Sequence, residues 1–155
     1  MRNRELDRQL QAIHSLFQRT RTACGDDVEM MSHWAKYLCV LCAGFLENAL
    51  TAVYSDHCRR AASVPVANFA TRSLEQISNP KTARFLEVAG RFKPAWRDDL
   101  EAFVNDDGRG DAINSIMANR HRIAHGQRSD ITMARVSDYF TRAVRVVEFI
   151  EDQCR

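Results

Sequence analysis

Arg120, His121 and His125 lie close together in the run Asn119-Arg120-His121-Arg122-Ile123-Ala124-His125-Gly126. Imidazole exchanges a proton near neutral pH, and a guanidinium presents paired N–H donors that match phosphate oxygens. The run therefore carries the parts for proton transfer beside an anion. His121 and His125 are four residues apart and share a helix face. Arg120 and His125 are five apart, which on an ideal helix turns their directions about 140° away from each other with a rise of about 7.5 Å. They converge only if the helix frays at His125, if the long arginine reaches around, or if a second chain contributes. At this composition about 0.6 such arginine–histidine pairs arise by chance, so the spacing alone decides nothing. Two other uses of these residues stay open. The histidine pair with Glu47 could hold a metal ion. Alternatively, Arg120 forms a salt bridge to Glu47 while His125 serves only as a cation at a helix C-terminus.

The elements that must position this run are all helical. Leu6, Leu10, Ile13 and Phe17 recur at helical spacing, and Cys24-Gly25 closes that helix. Asp26 with Glu29 has the spacing of a capping box for a second helix, from about Val28 to Arg59. Its wide stripe, Trp34, Leu38, Leu41, Phe45, Leu46, Leu50 and Val53, suits a central helix touched on several sides. Glu47 sits beside that stripe, so if buried it needs a cationic partner.

A loop around Pro65 precedes a short helix expected over Ala67 to Ile77. Ser78-Asn79-Pro80 reads as the start of the next, with Phe85, Leu86 and Val88 as its apolar side. Pro94 opens another, carrying Trp96, Leu100, Phe103 and Val104, and Asn105 to Gly110 form a turn. Asp111 is the expected N-cap of the motif helix, and Gly126 fits its left-handed C-terminal position. Thr132 caps the last helix, whose seam is Val136, Phe140, Ala143, Val147 and Ile150. The expected architecture is a single all-α domain over residues 1–155. It has two long helices, short intervening helices and a C-terminal amphipathic helix.

Composition agrees with that class. The chain has 155 residues, and its 6 Gly and 3 Pro are too few for a turn-rich β fold. The net charge of +2 makes the whole chain no magnet for nucleic acid. Lys36, Lys81 and Lys93 are the only lysines among 22 basic residues; the arginine excess suits phosphate contacts but also follows from a GC-rich genome. Five cysteines is an odd number, and Cys39 and Cys42, inside an apolar helix pattern, read as two core thiols rather than a metal pair. Glu47 and Asn48 interrupt the most apolar stretch, so no membrane span is expected. The charged start, without a signal-peptide core, points to a cytoplasmic location.

Taken together, Phe45-Leu46-Glu47-Asn48, Ile77-Ser78-Asn79-Pro80, Arg91-Phe92 with Trp96, and the run from Arg120 to Gly126 make the chain resemble the HEPN family, in its RiboL-PSP-HEPN branch. The similarity covers nearly the whole chain. The family motif is an arginine, a polar residue, a few others and then a histidine, which here are Arg120, His121 and His125. The polar position is often Asn in the family, so His121 is a less usual choice.

The resemblance implies a helical bundle that dimerises with the two motifs meeting at the interface. It also implies metal-independent endoribonuclease activity without a cofactor, commonly in toxin–antitoxin or phage-defence systems, with RNA and an antitoxin protein as partners. Some members are inactive binding modules. On this reading His125 takes the proton of the RNA 2′-OH, and Arg120 stabilises charge on the phosphorane oxygens. His121 or a second chain's His125 protonates the leaving oxygen. Glu47 orients Arg120 or a histidine, and Asn119, Arg122 and Arg128 are candidate RNA contacts.

Overall fold

Seven helices and no strand account for 81% of the chain in a computed structural model that describes residues 1–155. They are α1 (Arg4–Cys24), α2 (Val28–Ala61), α3 (Val64–Leu74), α4 (Thr82–Phe92), α5 (Pro94–Asn105), α6 (Arg109–Ala124) and α7 (Met133–Gln153). The all-α expectation is met.

The long α2 is the axis of the bundle, packing against α1, α3, α6 and α7. Its side chains are buried on more than one face, from Leu38 and Phe45 to Leu46, Leu50 and Tyr54. α1 lays Leu6, Leu10, Ile13 and Phe17 against it, and α7 lays Val136, Phe140, Ala143, Val147 and Ile150. Phe140 is the meeting point: its ring stacks on Phe17 at 6.3 Å and meets Phe45 edge-on at 5.4 Å. Each fully buried side chain of this kind contributes about 1.5–3 kcal/mol of transfer free energy. One connected cluster of 36 buried residues joins all seven helices' inner faces or flanks.

Contrary to the sequence expectation, α2 is long and apolar enough to cross a membrane, with a window hydropathy of 1.5. Here 61% of that window is buried inside the protein, and contact with four other helices accounts for its apolar character.

Several boundaries differ from the sequence reading, for local reasons. Asp27, not Asp26, caps α2, its carboxylate accepting from Met30 N at 2.9 Å. Pro65 lies in the first turn of α3 rather than breaking the pattern before it, because a first-turn N–H needs no helical partner. Asn79 takes a left-handed conformation (φ 48°), so Ser78-Asn79-Pro80 is a turn and α4 starts at Thr82.

Neither α4 nor α6 has a side-chain cap of its own. Asn114 of α6 caps the start of α4, and a second bond ties the two helices together there. Thr82 N donates to Asn114 Oδ1 at 3.0 Å, and Thr82 Oγ1 donates to the Gly110 carbonyl at 2.7 Å. Gly110 permits this approach, since a Cβ there would lie 3.2 Å from both Thr82 Cγ2 and the Val104 carbonyl. Asp111 is therefore a first-turn acid, and Gly108 holds the N-cap position. Arg109 locks the turn by donating to Asp106 Oδ2 and the Phe103 carbonyl while its guanidinium lies 4.2 Å over the Phe103 ring.

Candidate functional site

α6 is fixed along its length before its end is reached. Ile113, Ile116 and Met117 are fully buried against the core, and the helix forms a hairpin with α7. One turn of α2 grips it through a thiol. Cys39 Sγ donates to the Ile116 carbonyl at 3.6 Å, with the backbone N–H of Arg120 placed to favour its thiolate. Burial pushes the Cys39 thiol up to about 12 despite that N–H, so it stays a neutral packing group. Burial, with Cys39 beside it, likewise raises the Cys42 thiol well above its ordinary value. Cys39 and Cys42 are free and buried, as expected of core thiols, and so are Cys24, Cys58 and Cys154.

The end of α6 is a Schellman turn. Gly126 N donates to the Ile123 carbonyl at 3.2 Å and Gln127 N to the Arg122 carbonyl at 2.8 Å, with Gly126 at φ 65°. The glycine stop expected from sequence is thus present. His125 occupies the C-cap, its N–H still bonded to the His121 carbonyl at 3.1 Å. The helix does not fray before His125, and the two imidazoles stack obliquely with centroids 4.4 Å apart. Both rings are exposed.

Arg120 is half-buried, and its guanidinium makes no hydrogen bond or ion pair within the chain. It points about 100° around the helix from His121. Arg122 is exposed and equally unpaired. The helix end thus gathers the two histidines tightly and sets two free guanidinium groups beside them. Its exposed C-terminal carbonyl dipoles favour cationic side chains there.

The remaining sequence candidates fall elsewhere. Glu47 does not pair with Arg120 or a histidine. Its Oε2 accepts the backbone N–H of Asn79 at 3.2 Å. It lies eight residues beyond Cys39 on α2, about 12 Å further along the axis from the level at which Arg120 packs. The same placement removes the Arg120–Glu47 salt bridge and the third ligand of the metal alternative. No three metal-binding side chains cluster anywhere in the chain.

Asn119 is engaged within the chain. Its Nδ2 donates to the Ser115 carbonyl at 2.9 Å, and its Oδ1 accepts from Ser129 Oγ at 2.8 Å. Ser129, only 5% exposed, ties the loop after Gly126 back onto α6. Sequence reasoning missed this serine; a short polar side chain in a polar link carries no periodic signal.

Arg128, on that loop, pairs with Asp130 at 3.0 Å, and both are exposed. It also borders a cleft of about 860 Å³ between the α1–α2 turn and the α6–α7 loop, with Lys36 on the opposite wall. Lys36 was likewise not singled out, because only the fold brings residue 36 to the side of residue 128.

Comparison with known proteins gives one result. A family model described as RiboL-PSP-HEPN matches residues 2–155. No curated protein and no solved structure matches the chain.

Proposed function

The chain belongs to the RiboL-PSP-HEPN family, whose membership points to a nuclease or RNA-binding module, and from that premise we propose that it is a metal-independent endoribonuclease. The observation that carries the reading is the end of α6: two exposed imidazoles in contact beside an arginine with no partner in its own chain. A guanidinium that no carboxylate of its own chain engages is available to pair with a phosphate.

RNA brings its own nucleophile. His125 takes the 2′-OH proton as the 2′-oxygen attacks phosphorus. Arg120 holds the non-bridging oxygens as negative charge grows on them. The bond to the 5′-oxygen breaks, and that oxygen leaves with a proton from His121 or from the His125 of a second copy. The products are a 2′,3′-cyclic phosphate and a 5′-hydroxyl, and no metal enters the balance. Arg122 and Arg128 supply backbone phosphate contacts.

Arg120 and His125 lie on different sides of one helix end, so we propose a homodimer in which each copy completes the other's pocket. The exposed Tyr37 and Val40 on α2, near the level where Cys39 meets α6, support such a contact. Service as the toxic half of a toxin–antitoxin pair or as a phage-defence effector follows from the same reading.

The test is cleavage of a labelled single-stranded RNA in excess chelator, with mass analysis of the new ends. Arg120→Ala and His125→Ala each lower the rate by about 10²–10⁴-fold with unchanged helicity. Cleavage that survives both substitutions rejects the assignment. RNA affinity without cleavage by the unaltered protein makes the chain a binding module instead.

A further inference from the structure

A second pocket, remote from the α6 end, is built from α1, α2 and α3 and measures about 390 Å³. That lies within the range of about 300–1,000 Å³ that small-molecule sites occupy. Four carboxylates line it, Glu5, Glu47, Asp56 and Glu75, against a single cation, Arg59. Part of this charge is already used: Glu5 pairs with Arg8, and Asp56 accepts from Asn3 and Arg59. Glu47 keeps one oxygen free beyond its bond to Asn79, and Glu75 has no partner in the chain.

The floor of the pocket supplies an independent observation. Ser55, on α2, is 2% exposed, and its hydroxyl has no hydrogen-bond partner. A serine within a helix commonly bonds back to the carbonyl four residues earlier, but Ser55 does not. Thr71, reaching in from α3, carries a second buried hydroxyl without a partner. Both line this pocket. Buried hydroxyls are normally satisfied, so two orphans on one wall mark a place where an outside donor fits.

The surface is thus rich in acceptors and poor in donors, which matches an ammonium group, a pure donor with three N–H bonds to give. The acceptors are strung out rather than gathered. Glu47 and Asp56 are nine residues apart on α2, about 13.5 Å along its axis, and no three of these carboxylates come together as a metal site would need. An extended ligand with amines spaced along an apolar stem meets such stations one by one, and Ala52 and Ile77 offer the stem an apolar wall.

We propose that this pocket binds a linear aliphatic polyamine. One ammonium is held by Glu47 and Glu75, another by Asp56, and the secondary ammonium between them donates to Ser55 and Thr71. The proposal is independent of the ribonuclease reading, since none of the α6-end residues takes part.

Titration calorimetry of the full chain with spermidine, without RNA, tests it. The expected result is saturable one-to-one binding that magnesium at equal ionic strength does not reproduce. Glu75→Gln and Ser55→Ala each weaken it by about tenfold, the value of one charge-assisted hydrogen bond. Glu75 is exposed, and Ser55→Ala removes an unsatisfied group, so both variants keep the fold by circular dichroism. Equal displacement by magnesium, or unchanged affinity in both variants, overturns the proposal as a diffuse counter-ion effect. Tighter binding of a tetralysine peptide than of spermidine overturns it in favour of a basic protein segment.

Discussion

The clamp between Asn119 and Ser129 lends itself to a quantitative test. Asn119→Ala removes the acceptor for Ser129 Oγ, a 2.8 Å bond made by a side chain that is 5% exposed. At 5% exposure the orphaned hydroxyl has little access to water, so the cost approaches that of an unsatisfied buried donor, about 1–3 kcal/mol. With an unfolding entropy of about 2.1 cal/mol/K per residue, a chain of 155 residues loses about 3 °C of Tm per kcal/mol. The variant therefore melts about 3–9 °C lower.

Ser129→Ala leaves the opposite orphan, Asn119 Oδ1, on a half-buried side chain that water can still reach. Its cost is smaller, about 0.5–1.5 kcal/mol. Once Asn119 is gone, removing the serine hydroxyl removes the orphan. The double variant is therefore no less stable than Asn119→Ala alone. Thermal and urea unfolding followed by circular dichroism measure all four proteins. Additivity of the two single effects to within about 0.3–0.5 kcal/mol would refute the clamp, since independent sites behave that way.

Other expectations come from neighbouring features. Gly126→Ala places a Cβ in open space but forces it to φ 65°, so it costs about 1–2 kcal/mol through backbone strain alone, measurable by urea unfolding. Glu47→Gln leaves the rate of RNA cleavage unchanged while weakening the bond to Asn79 N; a fall as deep as that of Arg120→Ala would restore Glu47 to the catalytic group. Stability also declines in alkali. Cys39 is pushed up to about 12 and Cys154 to about 11 by burial, both from 9.0, so above that value the unfolded chain releases protons that the folded chain keeps. The stabilisation is whole below about pH 9 and is lost as pH rises toward the folded values, at about 1.4 kcal/mol per pH unit for each such thiol. Urea midpoints from about pH 8 to about pH 10 read this out, and a flat profile would contradict it.

Much of the architecture is local and therefore legible in the chain. Leu6, Leu10, Ile13 and Phe17 and the seam from Val136 to Ile150 repeat at the helical period because one face of each helix must be buried. All of them are buried in the bundle. Gly25 and Gly126 end helices at positive φ for a reason carried by the residue itself. Asn79 shows the limit of that logic: a turn residue next to a proline resembles a helix start until its backbone turns left-handed.

What the sequence could not decide was which polar groups meet. Glu47 was expected beside Arg120, yet the two stand at different levels of the packed helices, and a backbone N–H from a turn 32 residues away takes the carboxylate. Asn119 was expected to face RNA and instead holds Ser129. The histidine pair was different, because four residues on one helix are always neighbours, and their 4.4 Å contact follows from helix geometry. Spacing along a helix determines contacts within a helix. Contacts between helices depend on how they are set side by side, and that is determined by the summed packing of the whole core rather than by any motif.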